Sequence, residues 1–575
     1  MGYNKRQEPP SMNPYLTPLV DDLKHMWEPG KCLKTHNHPK GVLIRAALLL
    51  VAADSPALRK LLGFLAHSAN YGCTKCLKKS HGKVGNKDYS GFKKSEWPAR
   101  IFSLHKKNAE SVKAAKTDAE AKRLETQYGC RYSEFLKLPY FNVIKHHTLD
   151  LMHSLFLGTA KHIFNLWVEQ GILDDEKLDE IDRKFSKIDL PLNNGWVPKD
   201  MSQNYKYYNS YEWKNWTMNY SMLILKGLIP REHYEMWQTF VTACRKVCRP
   251  CITKDDVIVA DLLFQKFGTK VTSLLGYEAV TPNMHSHCHN RECCEDFGSP
   301  YGWWLFSFER FNGILSDYNT NNKSIEKQLM KTFLSKDFLN SKYLQMPVGY
   351  SKELQPMFSD LTRTTELTAV HIPLEMLSVP KMPLHECQPH WINLAHISVP
   401  KKHPRNCITI TKDDIKILRK TYSMMYAGQR IKKKHLGTVY WRYSNITVGS
   451  DKYYSKLYTK SKTDTCILAS WTDEDGNITD RDEYLGEVKH FLEHSVKVGS
   501  EYKVHILAAV LWYQKLEEET GFLSPVSVHR KIRLEPGPSV FMPVQRISCK
   551  VISMSQKVNG YHCLVASPVH LKAFV

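Results

Sequence analysis

The sequence predicts a chain in three parts: an α/β segment, a long helical block and a small β-rich C-terminal domain. Three observations carry this reading. An apolar run, Gly41 to Ala57, follows an amphipathic helical pattern and is rich enough for a strand buried on both faces. Trp- and Tyr-rich segments at helical spacing occupy much of residues 80 to 280. Beyond His435, alternating stretches such as TVYWRYSNITV and EYKVHILAAVLWY recur at regular spacing, as in a small barrel or sandwich.

Composition narrows the function classes. Apolar residues make up 42% and aromatics 11% of the 575 residues, so wholesale disorder is excluded. The net charge of +22 favours a polyanionic partner such as nucleic acid over a merely basic surface. No run of roughly 18 apolar residues is present, and Ala46 to Ala53 is only strand-sized, so no membrane partner is expected. The polar stretch ahead of Asn13 lacks an apolar signal core. Fifteen cysteines, an odd number, several in CxxC or His-Cys-His settings, fit reduced thiols and metal ligands rather than disulfides.

Taken in order, Asn13 to Trp27 places Leu16, Leu19, Val20, Leu23 and Trp27 at helical spacing, and Glu28-Pro29-Gly30 ends that helix. At the carboxyl end of the expected strand sits Asp54, followed by Ser55 and Pro56. Carboxyl ends of strands collect ligands and chemistry in open α/β sheets, although an acid there is equally a helix cap. Cys73 and Cys76 form a CxxC, either half of a tetrahedral zinc site or a redox pair. Ala109 to Gln127 is charged and nearly stripe-free, the pattern of a solvated or DNA-facing arm. Asp150 and His153 then open a strongly amphipathic helix, three apart on one face. They are either a hydrogen-bonded or ligand pair, or a cap beside a core histidine.

The densest chemistry lies between Pro282 and Phe311, with three histidines, three cysteines, an aromatic run and the acid Glu309 between Phe308 and Arg310. An acid inside an aromatic run that is expected to be buried is costly unless a cation receives it. His285 and His289, four apart on one helical turn, complete a two-cysteine, two-histidine tetrahedron with Cys73 and Cys76. Such a closed site would be structural Zn²⁺, with His287, Cys288, Cys293 and Cys294 as competing ligands. Carboxylates gathered from distant segments suit Mg²⁺ or Mn²⁺ and two-metal phosphoryl transfer on a phosphodiester backbone.

The ordered segments YLTPLVDDLKHMW, RAALLLVAADSPA, GCTKC, LDLMH, PNMHSHCHNRE and FSFERFNGIL resemble transposases of the CACTA (En/Spm) superfamily over roughly residues 12 to 335. That family is distantly similar to the Transib transposases and to the catalytic subunit of the V(D)J recombinase. The resemblance implies a partial RNase H-like core with a DDE acid triad, interrupted by a large helical insertion, and zinc held by CxxC and paired histidines. It implies Asp54 as second acid and Glu309 as third, with Cys73, Cys76, His285 and His289 on the zinc. It also implies DNA as partner, homo-oligomers on DNA ends and a nuclear location. The family's first acid lies in a motif like D-G/W-F-x-P-F, which this sequence lacks, so an N-terminally truncated copy is expected. The alternative alignment supplies the triad from Asp54, Asp150 and Glu309. The expected parts are residues 1–80 and 281–335 for the core, 81–280 for the insertion, 336–430 for a linker and helix, and 431–575 for the β-rich domain.

Overall fold

The structure is a computed structural model. It describes residues 11–569 apart from 84–85, 192–197, 199, 250–251, 322, 345–396, 427–430, 449–450, 459–464, 471–482, 517–518 and 534–539. Most of the Pro- and Met-dotted linker expected from Pro347 to Pro404 lies outside the described residues.

The helix Asn13–Trp27 forms as its spacing predicts, burying Leu16 and Val20. The apolar run after it does not become a buried strand. Only Val42–Ile44 is extended in a sheet, paired antiparallel with Lys31–Leu33 in a two-stranded ribbon. Leu43 is 58% exposed and Leu49 75% exposed. Burial on both faces requires neighbouring strands and covering layers, and here the run meets one three-residue partner. It is tied down farther on, where Val51 bridges His147 in parallel.

The central block is helical, and its core is aromatic. Helices Lys161–Glu169, Arg231–Val247 and Lys254–Leu275 pack around Trp167, Trp213, Trp216, Trp237 and Phe240, all nearly or fully buried. The segment Met152–Ala160, directly after Asp150, is a π-helix. Such over-wide turns shift the register of side chains and cluster at functional sites. The charged arm forms the helices Phe102–Lys113 and Asp118–Tyr128, the second of which buries no residue.

The C-terminal region is β-rich, and six of its strands close on themselves. Cys466–Ser470 pairs with Glu483–Val498, then follow Glu501–Lys515, Ser527–Arg533, Tyr561–Pro568 and Ile547–Val558, which pairs back to Cys466–Ser470. Closure removes the edges that an open sheet would expose. This barrel is joined to the helical block by a single core. Ile188 and Asp189 add a short strand beside Met554 and Ser553. Ile552, Met554, Cys563 and Val565 pack into the same cluster as the buried tryptophans. No helix among the described residues is long and apolar enough to cross a membrane.

Candidate metal centre and acidic cleft

Cys73, Cys76, His285 and His289 come together although 209 residues separate Cys76 from His285, and one ligand atom from each lies within 4.8 Å of every other. The CxxC turn is built for a thiolate. The amides of Lys75 and Cys76 donate to Cys73 Sγ at 3.3 and 3.4 Å, and Arg100 Nε donates to the Cys73 carbonyl at 2.8 Å. Cys76 Sγ is 3.3 Å from His285 Nε2.

The two histidines do not share one helical turn. His285 sits in helix Pro282–His287, and His289 caps the next helix, Asn290–Phe297, across a break at Cys288. The chain has few backbone bonds to lose there, because Cys288 and His289 still bond back to His285 and Ser286 carbonyls. Trp97 covers both rings, at 4.2 Å from His285 and 5.4 Å from His289 between centroids.

Electrostatics at the cluster match a cation-binding set. Burial pushes the Cys73 thiol up, but its hydrogen bond with Cys76 and the imidazoles of His289 and His285 outweigh this, leaving it well below the usual thiol range. Cys76 is pushed the opposite way, chiefly by its bond to Cys73 and then by burial. One sulfur ionises readily, and the second needs a cation in place of its proton. Burial would lower His289, yet Cys73 and Glu292 raise it to about 9. Glu292 Oε1 receives His289 Nδ1 at 3.1 Å, so the carboxylate orients the ring, as outer partners of metal-bound histidines do. That leaves His289 Nε2 buried without a partner, a free ligand atom on the cluster side. The donor set and this orphaned nitrogen fit a tetrahedral metal ion, and zinc is compatible with both.

The competing ligands are elsewhere. His287 packs between Phe264 and Phe240, Cys288 contacts the Met284 carbonyl and Cys293 the His147 carbonyl. None of them joins a group able to hold a metal among the described residues.

The metal cluster forms part of the lining of a cleft of about 740 Å³ that also contains Asp54, Asp150 and His153. Asp54 is exposed and caps helix Ser55–Leu62, accepting from the Ala57 amide at 2.8 Å. Asp150, with only 3% of its side chain exposed, accepts from the Met152 and His153 amides at 3.0 and 3.1 Å and also holds His153 Nδ1. The Asp-His pair and the cap are thus both present, but His153 is not the core histidine of the second expectation, since 35% of its side chain is exposed. The bond to Asp150 raises His153 above the ordinary imidazole range, and the charges of Glu309 and Asp54 act in the same direction.

Glu309 is not set in a buried aromatic run. Trp303, Trp304, Leu305 and Phe306 are buried, and the helix Phe306–Ser316 then emerges into solvent with Glu309 exposed and Phe308 57% exposed. Among the described residues Asp54, Asp150 and Glu309 do not come together as a group able to hold a metal ion, and Glu309 does not line the cleft.

Further residues tie the two halves together. His147 Nε2 meets Thr74 Oγ1, inside the CxxC, at 2.9 Å, and Lys75 Nζ donates to the carbonyls of Ile144 and His147 at 2.8 and 2.9 Å. The metal turn is thereby stitched to the segment that leads into Asp150. The position of Lys75 between the two cysteines and the spacing of Glu292 three after His289 were the signals available in the sequence. No family model matches the chain, and no curated protein matches it.

Proposed function

We propose that this chain is a CACTA-type, transposase-derived protein that cleaves and transfers DNA strands on a partial RNase H-like core, using Asp54, Asp150 and Glu309. The observation that carries the reading is the cleft that Asp54, Asp150 and His153 line together with residues of the Cys/His cluster. Of the two alignments, this favours the one in which Asp150 belongs to the triad. The three carboxylates are hard oxygen donors of the kind Mg²⁺ or Mn²⁺ takes. When bound, such ions activate an attacking water or 3′-hydroxyl and stabilise the leaving oxygen. His153, held by Asp150 and partly open to the cleft, is placed to donate to a phosphate oxygen or carry a proton. The zinc assigned to Cys73, Cys76, His285 and His289 fixes the geometry of the cleft, because four protein ligands leave no position for substrate.

Charge supports DNA as the partner. Residues 28 to 113 carry 17 Lys and Arg against 5 Asp and Glu, a surplus of 12 within a chain of net charge +22. No acid occurs between Pro29 and Ala53, where the exposed ribbon Lys31–Leu33 and Val42–Ile44 lies. The chain passes from that ribbon to Asp54 without an intervening acid, so a phosphate backbone bound there would meet a basic segment adjoining Asp54 in sequence. Copies would pair on DNA ends in the nucleus.

The test is magnesium- or manganese-dependent nicking of DNA carrying element ends, comparing wild type with Asp54→Asn, Asp150→Asn and Glu309→Gln. Loss of nicking in each variant is expected, and equal nicking in all four proteins would end the catalytic assignment. A second reading, a zinc-stabilised DNA-binding protein without turnover, draws on the capping duties of Asp54 and Asp150. It predicts salt-sensitive DNA binding and no cleavage by any of the four.

A further inference from the structure

Beneath the helix that carries Glu309 lies a buried cation with no anionic partner among the described residues. Lys214, in the short helix Ser210–Asn215, is 3% exposed. Its Nζ lies 5.3 Å from the Phe306 ring centroid and 5.5 Å from those of Trp304 and Tyr211. It makes no ion pair or hydrogen bond to a described residue, and no carboxylate influences it. The titratable groups that face it are Tyr211 on its own helix and Cys248, just past helix Arg231–Val247, a thiol kept protonated by burial at about 12.

An ammonium in this position lowers stability. Desolvating it costs more than contact with aromatic faces returns. An apolar side chain of the same length would fill the space at less cost. What the cation adds is direction, because the negative faces of Trp304 and Phe306 must turn toward it. Phe306 begins the helix on which Glu309 stands one turn later, and its ring also meets Phe156 at 6.3 Å in the π-helix that follows Asp150. Lys214 therefore sits where the segment bearing Glu309 is registered against the segment bearing Asp150 and His153.

We propose that Lys214 is a positioning residue, whose charge, acting through Trp304 and Phe306, sets Glu309 against Asp150 and His153. The proposal rests on the reading of these acids as the reacting site. Burial brings Lys214 down to about 8, so the attachment weakens in mildly alkaline solution.

The experiment uses the full chain and Lys214→Met, which keeps length and apolar volume and removes the charge. The melting temperature is expected to stay or rise, while kcat for manganese-dependent nicking falls roughly tenfold to a hundredfold, with the KM for DNA unchanged. Wild-type nicking declines as pH passes about 8, and the variant shows no such step. Amide exchange over Phe306–Ser316, corrected for the intrinsic pH dependence, rises across the same range in wild type and is already high and flat in the variant. Unchanged kcat with unchanged exchange would overturn the proposal, as would a melting temperature that falls in step with activity. If wild type does not nick at all, the catalytic reading fails, and the exchange profile alone decides whether Lys214 holds this helix.

Discussion

The Cys/His cluster shares a cleft with Asp54 and Asp150, and the cluster and the acids are built in opposite ways. The cluster is closed: three of its four ligands are buried, a tryptophan covers it, and Glu292 orients a ring from behind. The acids are open: Asp54 and Glu309 face solvent, and only Asp150 is buried and fully bonded. A group of ligands that has to hold an ion permanently gains from burial and fixed geometry. Groups that must admit a phosphodiester need access instead, so their placement rests on the elements that carry them.

Four measurements sharpen or break this contrast. The largest effect is expected from Cys76→Ser, which should abolish stoichiometric metal binding and cost at least about 3 kcal/mol of stability, read by elemental analysis and chemical denaturation. A variant of normal stability would show the cluster to be dispensable for the fold. Next, Glu309→Gln should lower nicking at least about a hundredfold while leaving the melting temperature unchanged, because the side chain is exposed. Destabilisation like that of Cys76→Ser would erase the distinction between the two groups.

Asp54 separates capping from chemistry. Asp54→Ala should cost about 1 kcal/mol through the lost cap on helix Ser55–Leu62, and Asp54→Asn only a few tenths, since Asn caps well. Both should abolish nicking; activity retained in Asp54→Asn would leave the residue as a cap alone. The smallest effect concerns His153, whose proton affinity is raised in the folded chain by Asp150. The stability this gives is fully present below the unfolded imidazole value of about 6.5 and is lost as pH rises through the higher folded value. The stability difference between wild type and His153→Gln should therefore shrink from pH 6 upward, as urea titrations at several pH values would show. A difference that grew with pH would mean the pair is not formed.

The metal ligands were legible in the sequence because thiolate and imidazole chemistry is specific to residue type and the CxxC turn is local. The helix Asn13–Trp27 and the cap at Asp54 were legible for the same reason, being settled within a few residues. The run from Gly41 was not, since an apolar stretch specifies a buried strand only where other segments come to cover it. The helical reading of His285 and His289 failed at Cys288, yet the ligands still converge, because a nearly helical bend keeps both rings on one side.

By itself, then, the sequence determined which side chains can bind metal, where the helices begin, and that the C-terminal region alternates as strands. The tertiary structure alone decided that Glu309 stands in solvent, that Asp150 holds His153 in the cleft, and that Lys214 is buried against aromatic rings with no ion pair among the described residues. Ligand chemistry and capping belong to residues and their neighbours, whereas burial and charge environment are sums over segments far apart in the chain.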